Sequence, residues 1–222
     1  MNFKKNFVFL LCMAFVSLGL PAYGEIKNTP LISKSGKPIT TPFISFKSGK
    51  VVKNEYINKS LGFKFVLPKE YRFLTNEEIA LITNIAADET ITDKKAQAKL
   101  KKRKDLIEMV AVITNDTNNN VNVLVRNLSD NVDVEPLITM LSQGLNEQLQ
   151  NSFDNFVVTQ DGKQNLAGME FYVLSMDWIM NGEKYHQKKF IQSWNKKIVF
   201  ISFTYDTDDE LKKMINAFHK IK

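Results

Sequence analysis

The dipeptide Asn181-Gly182 lies between two long runs rich in aromatic and β-branched residues, Met169 to Met180 and Glu183 to Trp194. A two-residue type I′ turn needs positive φ at both central positions, and Asn-Gly is the pair that tolerates this best. With these two residues as the loop, paired positions have numbers that sum to 363, so the whole hairpin register follows. Trp178 then faces Tyr185, Asp177 faces His186, Ser175 faces Lys188 and Val173 faces Phe190. Lys197 to Tyr205 extends the hairpin into a meander. One face collects Tyr172, Leu174, Met176, Trp178, Tyr185, Ile191 and Phe200. The other collects Phe171, Val173, Phe190, Val199, Ile201 and Phe203, interrupted by Asp177, His186 and Lys188. Apolar residues on both faces require cover on both faces.

The rest of the chain supplies further elements. Val51 to Tyr56 and Phe63 to Leu67 read as strands around a tight Lys59-Ser60-Leu61-Gly62 turn, stopped by Pro68. Thr75-Asn76-Glu77-Glu78 and Thr207-Asp208-Asp209-Glu210 are capping boxes, in which a Thr hydroxyl and a Glu carboxylate satisfy each other's helix-start amides. The second opens a closing helix with Leu211, Met214, Ile215 and Phe218 at helical spacing. Thr92 begins a charged helix through Lys104, and Asp133-Val134-Glu135-Pro136 starts another that carries Leu137, Met140, Leu141, Leu145 and Leu149. Leu106 to Thr114 and Val121 to Leu128 form a hairpin joined by a polar Asn115–Asn120 loop, and Phe156 to Thr159 leads into an Asp161-Gly162 turn. Four helices and an antiparallel sheet predict an α+β fold in three layers, α/β/α, with helices on both sides of the sheet.

The start of the chain carries an export pattern. Lys4 and Lys5 precede an uncharged apolar run, Phe7 to Leu18, and Ala22-Tyr23-Gly24 places small residues where a signal peptidase reads. The run is about 12 residues, short of the roughly 20 needed to cross a bilayer. Residues 1–24 are therefore expected to be a cleavable secretory signal, and residues 25–50, with Pro30, Pro38 and Pro42, a flexible lead-in. Residues 51–222 form the single folded domain, periplasmic or at the cell surface. The sole cysteine, Cys12, sits inside the signal behind the bulky Phe9-Leu10-Leu11, which does not suit lipid attachment. A mature chain without cysteine excludes disulfides, thiolate nucleophiles, zinc–thiolate sites and iron–sulfur clusters. No cofactor is expected. Losing Lys4 and Lys5 lowers the formal charge from +6 to +4, too mild for a nucleic-acid partner.

The stretch Tyr56-Ile57-Asn58-Lys59-Ser60-Leu61-Gly62-Phe63-Lys64-Phe65-Val66-Leu67-Pro68 resembles the opening of the PsbP-like superfamily: an aromatic, Asn, a short gap, Gly-Phe-x-Phe, then Leu-Pro. Leu166-Ala167-Gly168-Met169-Glu170-Phe171, the meander and a final helix after Thr204-Tyr205 look similar too. The resemblance spans about residues 51–222. It implies an antiparallel sheet between helices and a binding or assembly role, as in bacterial envelope proteins of the DcrB kind. It brings no catalytic residues to carry over.

Four features are candidates for function. Asp177 opposite His186, beside Ser175 and Lys188 and within reach of Tyr205, is the pairing that orients a general base. A cross-strand ion pair at a sheet margin accounts for the same residues, and Ser175 lies mid-strand, outside any nucleophile elbow. Asp177, His186, Lys188 and Tyr205 are accordingly ligand-contact candidates. Lys94, Lys95, Lys99, Lys101, Lys102, Arg103 and Lys104 form a basic run suited to an anionic membrane surface or an acidic partner, although such runs mostly face water. Asp116-Thr117-Asn118-Asn119-Asn120 begins like a calcium loop, but Val121 stands where Gly is needed and Asn127 where Glu is needed. A polar turn is the expectation there. Trp178, Tyr185 and Trp194 are candidates for an exposed aromatic patch, against the ordinary expectation that strand aromatics are core.

The balance predicts an exported, non-enzymatic binding or accessory protein of the cell envelope, whose partner is an envelope protein or small ligand. The alternatives are a hydrolase using Asp177 and His186, or a binder of anionic surfaces through Lys94 to Lys104. Asn58, Asn115 and Asn127 each begin an Asn-x-Ser/Thr sequon.

Overall fold

In the computed structural model, the described residues are 48–81, 107–113, 116–127, 133–150, 154–180, 182–194 and 196–221. The expected signal, most of the expected lead-in and the basic Lys94–Lys104 run lie outside them. No helix among the described residues is long and apolar enough to cross a membrane.

Among the described residues, eleven strands form two antiparallel sheets. The larger has the order β4-β5-β6-β10-β9-β8-β7: β4 is Tyr71–Phe73, β5 Ile107–Ile113, β6 Asp116–Asn127, β7 Asp154–Leu166, β8 Met169–Met180, β9 Glu183–Trp194 and β10 Lys197–Tyr205. The smaller has the order β1-β2-β3-β11, with β1 Lys50–Val52, β2 Glu55–Asn58, β3 Phe63–Val66 and β11 Phe218–Lys220. Helical residues 76–81 (α1), helix α2 Val134–Leu149 and helix α3 Asp208–Asn216 complete the described elements.

The β8–β9 register is the one the turn dictates: Trp178 pairs with Tyr185, Asp177 with His186, Ser175 with Lys188 and Val173 with Phe190. Gly182 takes φ 80°, as the turn requires. The first capping box closes in both directions, and in the second the Thr207 hydroxyl caps while the Glu210 carboxylate accepts from Tyr71 and Lys213. The Glu78 amide donates to Thr75 Oγ1 while Glu78 Oε2 accepts from the Thr75 amide, and the Glu210 amide donates to Thr207 Oγ1. In the β2–β3 turn, Asn58 Oδ1 accepts from the Leu61 amide and Gly62 sits at φ 76°. That explains the Asn-to-Gly spacing of the opening motif.

Several expectations are corrected. The first strand is two, because Lys53 at φ 54° folds Val51 back onto Tyr56. The Asn115–Asn120 loop is mostly strand: β6 already runs from Asp116 and pairs Asn120 and Asn122 with β10. Asp161-Gly162 is a bulge inside the continuous β7, with Gly162 at φ 73°, so the extra residue is absorbed without reversing the chain. The closing helix stops at Asn216, and Phe218 belongs to β11, which pairs antiparallel with β3. The short β4 went unread.

The α+β class holds, but the described residues do not build the expected helix–sheet–helix sandwich. One face of the large sheet is covered by α2, whose Leu137, Ile138, Leu141 and Leu145 pack with Leu174, Met176, Trp178 and Phe200. The other face is covered by the small sheet together with α3, through Phe63, Phe65, Phe218, Leu211 and Met214 on Val123, Phe190, Ile201 and Phe203. Rings bridge the two sheets in succession: Phe65–Phe218 at 4.9 Å, Phe218–Phe203 at 5.6 Å and Phe203–Phe190 at 5.4 Å between centroids. A second tie runs through Glu108, whose Oε2 accepts from the Gly49 amide at 2.7 Å and from the Tyr56 hydroxyl at 3.2 Å.

Phe218 links the Phe65 ring of the small sheet to the Phe203 ring of the large one and is buried. Phe218→Ala is expected to remove about 3–5 kcal/mol of stability, as for other large aromatic truncations. Urea unfolding should show this as a lowered midpoint with unchanged slope, the signature of lost packing.

Candidate functional site

The core-side face of the large sheet changes character along its strands. On β8 the sequence Phe171, Val173, Ser175, Asp177 turns polar towards the Gly182 end, and on β9 Phe190 gives way to Lys188 and His186. Tyr205 stands opposite His186 on β10. Period-two alternation therefore gathers Ser175, Asp177, Lys188, His186 and Tyr205 on one surface, as the sequence predicts.

Within it, His186 Nδ1 lies 2.5 Å from Asp177 Oδ1, and the imidazole stacks on the Tyr205 ring at 5.5 Å between centroids and 19° between planes. Ser175 Oγ donates to Asp161 Oδ2 at 2.6 Å, and Lys188 Nζ lies 3.2 Å from the same oxygen. Exposure rises outward: the Asp177 side chain is 50% accessible, against 23% for His186 and 19% for Lys188. The site is thus a shallow, half-open polar end of a closed core. Asp206 follows it immediately and is fixed by Asn119, which donates through Nδ2 and accepts the Asp206 amide through Oδ1.

Asp161 is the residue that sequence reasoning missed. Read as half of an Asp-Gly turn, it belongs instead to the β7 bulge, which aims its carboxylate at Ser175 and Lys188. A turn dipeptide inside an otherwise strand-like run was the signal for a bulge.

Burial, and then the charges of Asp177, Asp208 and Asp161, push the Tyr205 phenol up to about 12 from its usual 10. The phenol stays protonated and able to donate at any physiological pH.

The arrangement has limited chemical reach. Asp177 orients the imidazole as a general base would be oriented, but the neighbouring hydroxyl is bonded to Asp161, not to the imidazole. A nucleophile activated by its base requires that contact. Among the described residues, no group of three or more His, Cys, Asp and Glu side chains could hold a metal ion. The Asp116–Asn120 stretch is part of β6. The aromatic patch does not exist as a unit: Trp178 and Tyr185 are buried and stacked on each other at 5.7 Å, while Trp194 is exposed. Trp194 instead flanks a groove of about 190 Å³ lined by Leu61, Phe63, Met169, Phe171 and Val199, at the far end of the same sheet face. Asn58 is fully buried, which closes its sequon to glycosylation.

Tyr205 gives this geometry a measurable sign. The phenol loses its proton near pH 10 when unfolded and near 12 when folded, so the folded state holds more protons between those values. Stability from this group is present below pH 10 and is lost as pH rises through 12. In ultraviolet phenolate titration, the component missing from Tyr205→Phe should have its midpoint near 12. Asp177→Asn should lower that midpoint.

No family model and no curated protein matches the sequence. Among solved structures, the chain is similar to the solution structure of cyanobacterial PsbP (CyanoP) from Synechocystis sp. PCC 6803, with 11% identity over 80% of this chain and 95% of that one and a TM-score of 0.44. It is also similar to the crystal structure of LpqN from Mycobacterium tuberculosis, with 16% identity over 72% of this chain and 83% of that one and a TM-score of 0.39. The first is a PsbP protein, from the family that the Tyr56-to-Pro68 stretch resembles. The second is described as involved in cell envelope biogenesis.

Proposed function

We propose that this chain is an exported, non-enzymatic binding or accessory protein of the cell envelope, which meets an envelope protein or small ligand through Asp177, His186, Lys188 and Tyr205. The supporting observation is the commitment of the Ser175 hydroxyl to Asp161, which withholds the neighbouring side-chain nucleophile from the Asp177–His186 pair. What remains is a prearranged set of imidazole, ammonium and phenol donors at a half-open surface. Held in place by cross-strand bonds, they lose little freedom when a partner docks. The lysine-free apolar run Phe7 to Leu18 and the Ala22-Tyr23-Gly24 site support export.

The test uses the tagged mature chain as bait in extracts of its native envelope. Wild type should retain a partner that a His186→Ala, Lys188→Ala double variant retains about tenfold less, while near-ultraviolet circular dichroism stays unchanged. Equal retention would remove this surface from consideration. Two other outcomes would redirect the reading. Hydrolysis of ester or peptide substrates that vanishes in His186→Ala would make the chain a hydrolase. Salt-sensitive binding to anionic vesicles, abolished by charge reversal across Lys94 to Lys104, would make it a membrane-surface binder.

A further inference from the structure

The groove beside Trp194 opens at the end of the large sheet remote from Asp177 and His186. Leu61 from the β2–β3 turn, Phe63 from β3, Met169 and Phe171 from β8 and Val199 from β10 form its walls, and Trp194 at its lip is 41% exposed. No charged side chain lines it. The lining Gln192 is already engaged, donating to the Glu170 carbonyl at 2.8 Å and accepting from the Ser193 amide at 3.0 Å. An occupant must therefore be apolar. At about 190 Å³ the groove is smaller than the roughly 300–1,000 Å³ of a usual ligand pocket, which suits side chains of an extended peptide better than a whole ligand.

The lead-in joins the domain close by. β1 runs antiparallel to β2 with Lys50 opposite Ile57, so the chain enters β1 from the side of the β2–β3 turn that carries Leu61. Gly49 is fixed at this entry. Its amide donates to Glu108 Oε2, and it lies so close on the Tyr56 ring that a side chain there would overlap the ring. The Tyr56 ring is in turn 6.2 Å from the Phe63 ring between centroids, and Phe63 is a wall of the groove. One ring thus separates the entry point from the groove. At about 3.4 Å per extended residue, Phe46 can reach about 10 Å from Gly49 and Phe43 about 20 Å. These two are the only aromatic residues between Glu25 and Lys50, and in an extended chain Ile44 projects to the same side as Phe46.

We infer that the groove is the docking site of this chain's own lead-in, which seats the apolar side chains of Phe43-Ile44-Ser45-Phe46 against Phe63, Phe171 and Trp194. Docking removes the exposed Trp194 ring from water together with the apolar residues of the lead-in. Tethering at Gly49 holds the segment at a high local concentration, in the millimolar range for a short linker, so even a weak apolar contact keeps the groove filled. The groove lies at the other end of the sheet from Asp177 and His186, and its occupancy is independent of the binding role assigned to them.

The experiment is acrylamide quenching of tryptophan fluorescence in the mature chain. Trp178 is 1% exposed, so collisional quenching reads Trp194. A triple variant, Phe43→Ser, Ile44→Ser and Phe46→Ser, should be quenched about twofold more steeply than wild type and emit further to the red, because the tethered segment no longer holds the groove. Near-ultraviolet circular dichroism should stay unchanged. If the triple variant fails to fold, Phe46→Ser alone decides. Equal quenching of wild type and variant overturns the proposal. So does protection that grows with protein concentration between ~1 and ~100 µM, since mass action would then place the lead-in of a second copy in the groove.

Discussion

Burial on both faces of the β8–β9–β10 meander governs the rest of the molecule. Leu174, Met176 and Trp178 point one way from β8 while Phe171 and Val173 point the other, and all are buried. At about 25 cal/mol per Å² of apolar surface, neither set can be left in water. The chain meets the two demands with different materials. A long amphipathic helix covers one face, and a small sheet with a short helix covers the other. The ring-to-ring succession from Phe65 through Phe218 to Phe203 fastens the second cover, adding geometric preference to the area it removes from water.

Against that background the polar residues stand out by position. Along the meander the core-side surface becomes polar only near the Gly182 turn, where Asp177, His186, Lys188, Asp161 and Ser175 pair among themselves. Over adjoining strand positions the reverse surface holds a polar group that is closed in and only partly paired. One end of the sheet therefore has polar chemistry on both sides of its backbone. The first set pairs within itself and is half open; the second is enclosed, and Asn122, Gln187 and Ser202 in it keep buried atoms with no hydrogen-bond partner.

Much of this was legible in the sequence wherever a single local rule decides geometry. Asn181-Gly182 specified the register, and the register placed Asp177 against His186 and Tyr205 within reach. Thr75 and Thr207 marked helix starts because a hydroxyl and a carboxylate three residues apart have one good use. What stayed hidden depended on non-local pairing. Phe218 follows Leu211 and Met214 at helical spacing, so nothing in the pattern announces that the helix ends first and a strand pairs with β3. Tyr71–Phe73 is too short for periodicity to register. Asn120 and Asn122 alternate with Val121 and Val123 in strand fashion, but an Asn-rich stretch reads as loop until a partner strand is known, so the enclosed polar group escaped notice. Asp161 was obscured by its own neighbour, since Asp-Gly suits a turn and a bulge alike.

The pairing of β11 with β3 has a kinetic side. Phe218 and Phe65 lie far apart in the sequence, so the small sheet cannot close until β11 is available to pair with β3. Until then the aromatic surface of β8 to β10 waits uncovered, and such long-range closure is slow relative to local hairpins.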